Sequence, residues 1–261
     1  MRRILLLAAL LLLTMPVAAR AQGGPPLLTD DPDTPGPGHW EINLSTILEK
    51  SRHARVLEVP RLDANYGVGE RIQLKFEVPW LRAHETGEEV RTGPGNSVIG
   101  VKYRFLGQEG SHVAWSVYPQ LELNTSHAAV DKRLVEDGAQ FLLPTEITVE
   151  AFHVEVNCEV GRNFARHDQS GWVYGLSTEG HATKRLELLA ELHASRRGDN
   201  LTEVIANVGA RHKLTRQLIL MLAVGRAVHG DIEERPRLLA YVGLQFNLPG
   251  IYTFPKIPTG R

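Results

Sequence analysis

After its first nineteen residues the sequence has no apolar run of the length that a membrane-spanning helix needs, which is about 20 residues. It has 1 cysteine, Cys158, so an internal disulfide is excluded. Its formal net charge is -1, which gives no electrostatic reason to bind nucleic acid. For the chain after this first segment, these features disfavour three classes of protein: a helical membrane protein, a disulfide scaffold and a nucleic-acid-binding protein.

The first segment has the pattern of an export signal. A basic Met1-Arg2-Arg3 precedes an apolar run over residues 4–19, and Ala19-Arg20-Ala21 matches a small-x-small cleavage site. A membrane-spanning helix is the weaker alternative, because the run is short and contains Pro16. We predict a signal peptide over residues 1–21 and export from the cytoplasm.

Residues 22–38 read QGGPPLLTDDPDTPGPG, and this proline and glycine content excludes helix and central strand. The sequence predicts an extended periplasmic arm, linker or plug. Asp30, Asp31 and Asp33 could bind a hard cation, but no further ligands have the spacing of a calcium loop. A solvated acidic turn is the favoured interpretation, and we predict neither a metal site nor a cofactor.

Residues 39–247 contain about twelve segments of alternating apolar and polar residues, each about ten residues long. In the segment 71–83, one face carries Ile72, Leu74, Phe76, Val78 and Trp80, and the other carries Gln73, Lys75 and Glu77. Two segments, 55–66 and 218–227, alternate poorly. The pattern predicts an all-β fold, an antiparallel up-and-down transmembrane β-barrel of about twelve strands, followed by a tail over residues 248–261.

The connectors alternate between short turns and longer, charged loops, as in bacterial outer-membrane barrels whose two termini are periplasmic. The longer set is predicted at 84–96, 125–139, 166–170, 195–200 and 228–237. The four tryptophans fall near strand ends, as in the aromatic girdles of such barrels. Glu58 is an exception to the pattern, since the alternation of its strand places this charged residue on the lipid face.

Charged side chains in the inward phase are the candidates for permeation. Mixed charges that line a lumen can select permeants by charge and size. Alternatively, they pair with each other and fill the interior. The candidates are Lys75, Glu77, Lys102, Arg104, Glu122, Glu146, Glu155, Glu159, Glu187, Glu191 and Arg211.

Two stretches carry a family resemblance. Thr29-Asp30-Asp31 precedes Pro37-Gly38-His39-Trp40 and an alternating strand, and GVKYRFL follows at residues 100–106. These motifs resemble the outer-membrane β-barrel family named for the meta-pathway of phenol degradation. The resemblance implies an outer-membrane barrel that transports small aromatic compounds.

A barrel enzyme is the main alternative. His193-Ala194-Ser195 with Asn200 resembles the His-x-Ser pair of outer-membrane phospholipases, in which a base activates a nucleophile. However, His193 is in phase with the inward Glu187 and Glu191, and the Ser-Asn-Gly continuation of those enzymes is absent. We therefore predict no catalytic residues.

The sequence thus predicts a porin-like channel or facilitator for small solutes in the outer membrane of a Gram-negative envelope. Its expected partners are outer-membrane lipid, an unknown small permeant and the machinery that assembles outer-membrane barrels. The other open alternatives are a non-conducting structural or binding barrel and a soluble periplasmic binding or structural β-protein.

Overall fold

The computed structural model describes residues 24–108, 111–151, 154–166, 170–198 and 200–250, without the side chains of residues 200–202. The predicted signal peptide and residues 251–261 of the predicted tail lie outside the described residues. Within the described ranges, no helix is long and apolar enough to cross a membrane.

The described part of the chain contains fourteen strands and one short helix. The strands are β1 (Trp40–Lys50), β2 (Ala54–Val68), β3 (Ile72–Glu85), β4 (Arg91–Pro94), β5 (Ser97–Leu106), β6 (Val113–Val117), β7 (Gln120–Leu123), β8 (Gln140–Ala151), β9 (Val154–Ala165), β10 (Gly171–His181), β11 (Leu186–Arg197), β12 (Asn200–Lys213), β13 (Leu218–His229) and β14 (Leu238–Leu248). The helix α1 (His127–Asp131) lies between β7 and β8.

The strands form one closed antiparallel sheet. Strands at adjacent positions pair with each other, and β14 pairs with β1 from Trp40↔Leu248 to Lys50↔Leu238, which closes the barrel. Strands β4 and β5 occupy one position beside β3, and β6 and β7 occupy one position between β5 and β8. The fourteen strands therefore occupy twelve positions, so the predicted twelve-stranded barrel is confirmed.

Burial in this barrel is inverted relative to a water-soluble protein. In β5, Lys102 and Arg104 are 1% and 3% exposed, whereas the neighbouring Val101 and Tyr103 are 46% and 44% exposed. The alternation arises because successive side chains of a strand point to opposite faces of the sheet. An apolar exterior around a polar interior is the surface that a barrel presents to lipid.

The two ends of the barrel differ. We call the end with the connector 69–71 the turn end, and the end with the connector 124–139 the loop end. Exposed aromatic pairs lie near both ends: the ring centroids of Trp40 and Tyr66 are 4.7 Å apart at the turn end. Those of Trp172 and Tyr174 are 6.5 Å apart at the loop end. These pairs match the predicted girdles, since amphipathic rings favour the headgroup level.

The structure divides the alternating segment 112–124 into two strands, β6 and β7. Pro119 has no N–H for the ladder, so the regular pairing is interrupted at residues 118–119. The Tyr118 side chain there is 0% exposed, and its hydroxyl accepts a hydrogen bond of 3.0 Å from Gln73 Nε2. The interruption thus adds a large aromatic ring to the interior.

The expected position of Glu58 on the lipid face is wrong. The registers of β2 with both β1 and β3 shift between Glu58 and Arg61, so Val59 and Pro60 form a bulge. A bulge inserts an extra residue and redirects the side chains beyond it. Glu58 therefore lies beside Arg61, with its Oε2 3.0 Å from Arg61 Nη1, and lines an interior cavity.

Three predicted loops also differ from expectation. The region 84–96 is mostly a hairpin, because β3 continues to Glu85 and β4 pairs with its outer end. In the region 195–200, β11 continues to Arg197 and β12 begins at Asn200. The region 125–139 contains α1 and contacts β4, where Lys132 Nζ donates to Thr92 O at 3.2 Å. The loop end is therefore more ordered than a set of long loops.

The inverted burial predicts how charge on the exterior affects stability. Leu176, at the centre of β10, is 48% exposed, so Leu176→Arg should lower the free energy of unfolding by about 2–4 kcal/mol in a bilayer. Val228→Arg is the control near the end of β13, where a cost of about 0–1 kcal/mol is expected. Denaturant titration in lipid vesicles measures both, and equal costs would contradict a membrane midplane at Leu176.

Candidate functional site

The arm, residues 24–38, lies inside the barrel and enters it at the turn end. Gly38 N donates to Gly67 O at 2.8 Å, and Gly67 N donates to His39 O at 3.0 Å. A Cβ atom on Gly67 would lie 1.8 Å from Gly36 O, so only glycine permits this approach. The segment before β1 is therefore fixed against the wall at the point of entry.

Halfway along the barrel, wall carboxylates accept hydrogen bonds from the arm's backbone. Glu191 accepts from Leu28 N and Thr29 N, both at 2.9 Å, and Glu159 accepts from Asp30 N at 3.0 Å. Thr29 is 0% exposed. Successive N–H groups that converge on an anion form a strong local binding motif. These carboxylates therefore hold the arm at mid-height.

Lys102 anchors the arm from the opposite side of the lumen. Its ammonium lies 2.8 Å from Asp30 Oδ1, 3.6 Å from Glu146 Oε2 and 4.6 Å from the Tyr118 ring centroid, and it also donates to Asp31 O. Lys102 is 1% exposed, so this charge is compensated by protein groups instead of water. The wall alone supplies only part of the compensation, and the arm supplies the rest.

Two arginines bind different parts of the described arm near the turn end. Arg104 donates to Asp33 Oδ1 at 2.7 Å. Arg211 donates to Pro25 O at 2.9 Å and to Glu179 at 2.7 Å. The arm turns back on itself between residues 24 and 29, where Gly24 N donates a hydrogen bond of 3.1 Å to the carbonyl of Thr29. The arm is a hairpin-shaped loop that fills the turn-end half of the lumen.

The two adjacent aspartates of the arm have different electrostatics. Burial acts to raise the pKa of Asp30, but the charges of Lys102 and Lys75 outweigh it and hold that pKa below its ordinary value. For Asp31 burial dominates, and the pKa is held well above its ordinary value despite Lys102. Asp30 is therefore the ionised partner of Lys102.

All of the predicted lumen residues point inward, but they divide into three groups. Those that contact the arm are Lys102, Arg104, Glu159, Glu191 and Arg211. Glu146 and Glu187 lie beside Lys102 and Arg211, and Glu155 lies opposite Glu179 at the turn end. Lys75, Glu77 and Glu122 line cavities instead.

The residues of the family motif lie along the arm. Thr29, Asp30 and Asp31 are in its innermost part, and residues 37–40 form the entry at the turn end and the start of β1. Asp30 and Asp31 contact Lys102, and Asp33, which follows the motif aspartates, contacts Arg104. No cluster of three or more His, Cys, Asp or Glu side chains in the described ranges could hold a metal ion.

Sequence reasoning missed the glycine on which the arm packs. A Cβ atom on Gly175 in β10 would lie 2.5 Å from Thr29 Oγ1. A wall position without a side chain therefore makes the room that Thr29 occupies. The available signal was a glycine in the inward phase of a clear strand, which often marks a close approach of another backbone.

The residues of the enzyme alternative do not form a site among the described contacts. His193 and Ser195 are half-buried on β11, opposite Gly175 and Val173 of β10. No hydrogen bond between their side chains occurs in the described part of the chain. The side chain of Asn200 lies outside the described residues.

The fold is shared with outer-membrane barrels of known structure. No protein-family model matches the chain, and no curated protein sequence matches it. The COG4313 outer membrane channel from Pseudomonas putida F1 matches with a TM-score of 0.72 and 12% identity, over 88% of this chain and 100% of that one. The KdgM porin (TM-score 0.57, 13% identity) and the NanC porin (0.56, 7%) each match 79% of this chain and 98% or 100% of their own. None of these names refers to aromatic compounds.

The packing of Thr29 on Gly175 predicts how the arm can be displaced. In a Thr29→Cys, Cys158→Ser chain, Gly175→Ala should speed modification of Cys at position 29 by a water-soluble maleimide, because the added methyl group overlaps the arm. Gly180→Ala in the same strand is the control, since the nearest atom to its Cβ position is 4.0 Å away. Equal modification rates in the two variants would show that Gly175 does not seat the arm.

Proposed function

We propose that the protein is a passive channel for small solutes in the bacterial outer membrane, and that the described conformation is closed by the arm. One observation carries the proposal: a segment outside the sheet fills a charged lumen that is otherwise lined by wall side chains. A barrel with only a structural role needs no such segment. The shared fold of the COG4313 channel and the two porins supports the same function.

The character of the contacts supports a reversible plug. Charge-assisted hydrogen bonds hold the arm to Glu191, Lys102, Arg104 and Arg211, and each contributes about 1.5–3 kcal/mol. Apolar burial adds to these contacts, since Pro26, Leu27 and Pro32 of the arm are buried. Water can replace such polar contacts when the arm leaves, which makes opening accessible without unfolding the barrel.

We propose small aromatic compounds as the permeant class. The resemblance of residues 29–40 to the family named for phenol degradation supports this class. The cavity beside the arm supports it as well, because Ile47, Ala223, Leu239 and Tyr241 give it an apolar wall. Lys75 and Asp63 line the same cavity, which therefore suits a solute with an apolar ring and a polar substituent.

The plug predicts a conductance that depends on the arm. In planar bilayers the refolded mature chain should show rare or small current steps, and deletion of residues 22–38 should give frequent, larger steps. Lys102→Met should increase the open probability of the full-length chain, because it removes the ion pair with Asp30. Lys50→Met, at an exposed position outside the lumen, is the matched control. A folded, inserted barrel that conducts in neither form would support the structural alternative and exclude a channel.

The permeant class predicts selective block of the current. Phenol should interrupt the ion current of the conducting form, whereas erythritol at the same concentration should not. Tyr241→Ala should shorten the interruptions, since this variant removes an aromatic surface from the cavity. Interruptions of equal length with both solutes, or with both chains, would argue against an aromatic permeant.

A further inference from the structure

Two cavities lie in series between the loop end and the arm. The outer cavity, of about 360 Å³, is bounded by Pro79, Leu81 and the connector residues Val135 and Glu136. The inner cavity, of about 140 Å³, ends on the arm at residues 24–28. Among the described residues that line the two cavities, only Arg61 and Glu77 belong to both linings. These two side chains therefore form the partition between the cavities.

The partition is an ion pair built on the β2 bulge. Arg61 Nη2 lies 2.6 Å from Glu77 Oε1 on the neighbouring strand β3, and Arg61 Nη1 lies 3.0 Å from Glu58 Oε2. The side chains of Arg61 and Glu58 are 27% and 25% exposed, and that of Glu77 is 9% exposed. Without the register shift at residues 59–60, Glu58 would face the exterior and Arg61 would have one carboxylate fewer.

We propose that the Arg61–Glu77 ion pair is the gate between the two cavities and sets the charge preference of the pathway. The inference rests on the proposed channel function and deepens it. A solute that enters from the loop end reaches the inner cavity by displacing the Arg61 guanidinium from Glu77.

The neighbouring charges allow the pair to open without an unpaired ion. When Arg61 leaves Glu77, Glu58 still holds its guanidinium from the side of the outer cavity. Glu77 in turn keeps Lys75, whose Nζ lies 3.1 Å from Glu77 Oε2. A buried charge that loses its only partner is costly, so this shared pairing lowers the barrier to opening.

The same residues predict a preference for cations. The outer cavity is lined by Glu58, Glu77, Glu122 and Glu136 against the one cationic lining residue Arg61. The inner cavity adds Asp30 and Asp63 against Lys75. Carboxylates that outnumber basic groups favour cations in a narrow lumen. Arg61 opposes that preference at the partition between the two cavities, so it acts as a specificity-determining residue.

The test uses the full-length chain with one cysteine in the inner cavity, Cys158→Ser with Ser45→Cys. A positively charged methanethiosulfonate reagent modifies that thiol after it passes the partition, while the arm covers the other approach. Arg61→Ala should accelerate modification about tenfold, the factor that corresponds to one ordinary charge-assisted contact removed from the barrier. Arg61→Gln should accelerate it less, because it keeps most of the side-chain volume.

Arg55→Ala is the matched control, since Arg55 is an exposed arginine of the same strand that lines neither cavity. In planar bilayers, Arg61→Ala should also raise the ratio of cation to anion permeability, and Arg55→Ala should not. Equal modification rates in Arg61→Ala and Arg55→Ala would overturn the gate, even if the parent chain conducts. Loss of the channel function would appear separately, as absence of current both with and without the arm.

Discussion

The ammonium of Lys102 lies in the barrel interior with almost no access to water, and its charge is balanced by carboxylates from two sources. Glu146 belongs to the wall, and Asp30 belongs to the arm. A charge in such a place is stable only when it is paired and hydrogen-bonded. This requirement ties the arm to the barrel: if the arm leaves, water must enter to solvate Lys102.

Elsewhere in the lumen the arm compensates charges of both signs. Glu191 and Glu159 receive backbone N–H groups from the arm, and Arg211 receives backbone carbonyls. A segment of few ionisable groups can therefore satisfy both acidic and basic wall residues, because each peptide unit carries a donor and an acceptor. Its prolines and glycines suit this role, since they keep the backbone out of helices and ladders and leave its polar groups free for the wall.

The sequence predicted the barrel and the inward side chains because both follow from the strict two-residue period of a strand. It did not predict the partner of Lys102, because the approach of residue 30 depends on a non-periodic segment. The Glu58 error has a local cause, since one bulge inverts the phase that the alternation assumed. Tyr118 was missed because it enters the interior where the strand pairing is interrupted. Gly175 was missed because its role depends on the absence of a side chain, which leaves room for Thr29.

The position of the arm outside the sheet determines whether its movement disturbs the barrel. The described arm begins beside Arg211 and ends beside Gly67, and both positions lie at the turn end of the barrel. No residue of the described arm belongs to a strand, since β1 begins at Trp40. The described arm can therefore leave its place in the lumen without breaking a ladder hydrogen bond between β1 and β14. The barrel and the arm are, in this sense, separable parts of one covalent chain.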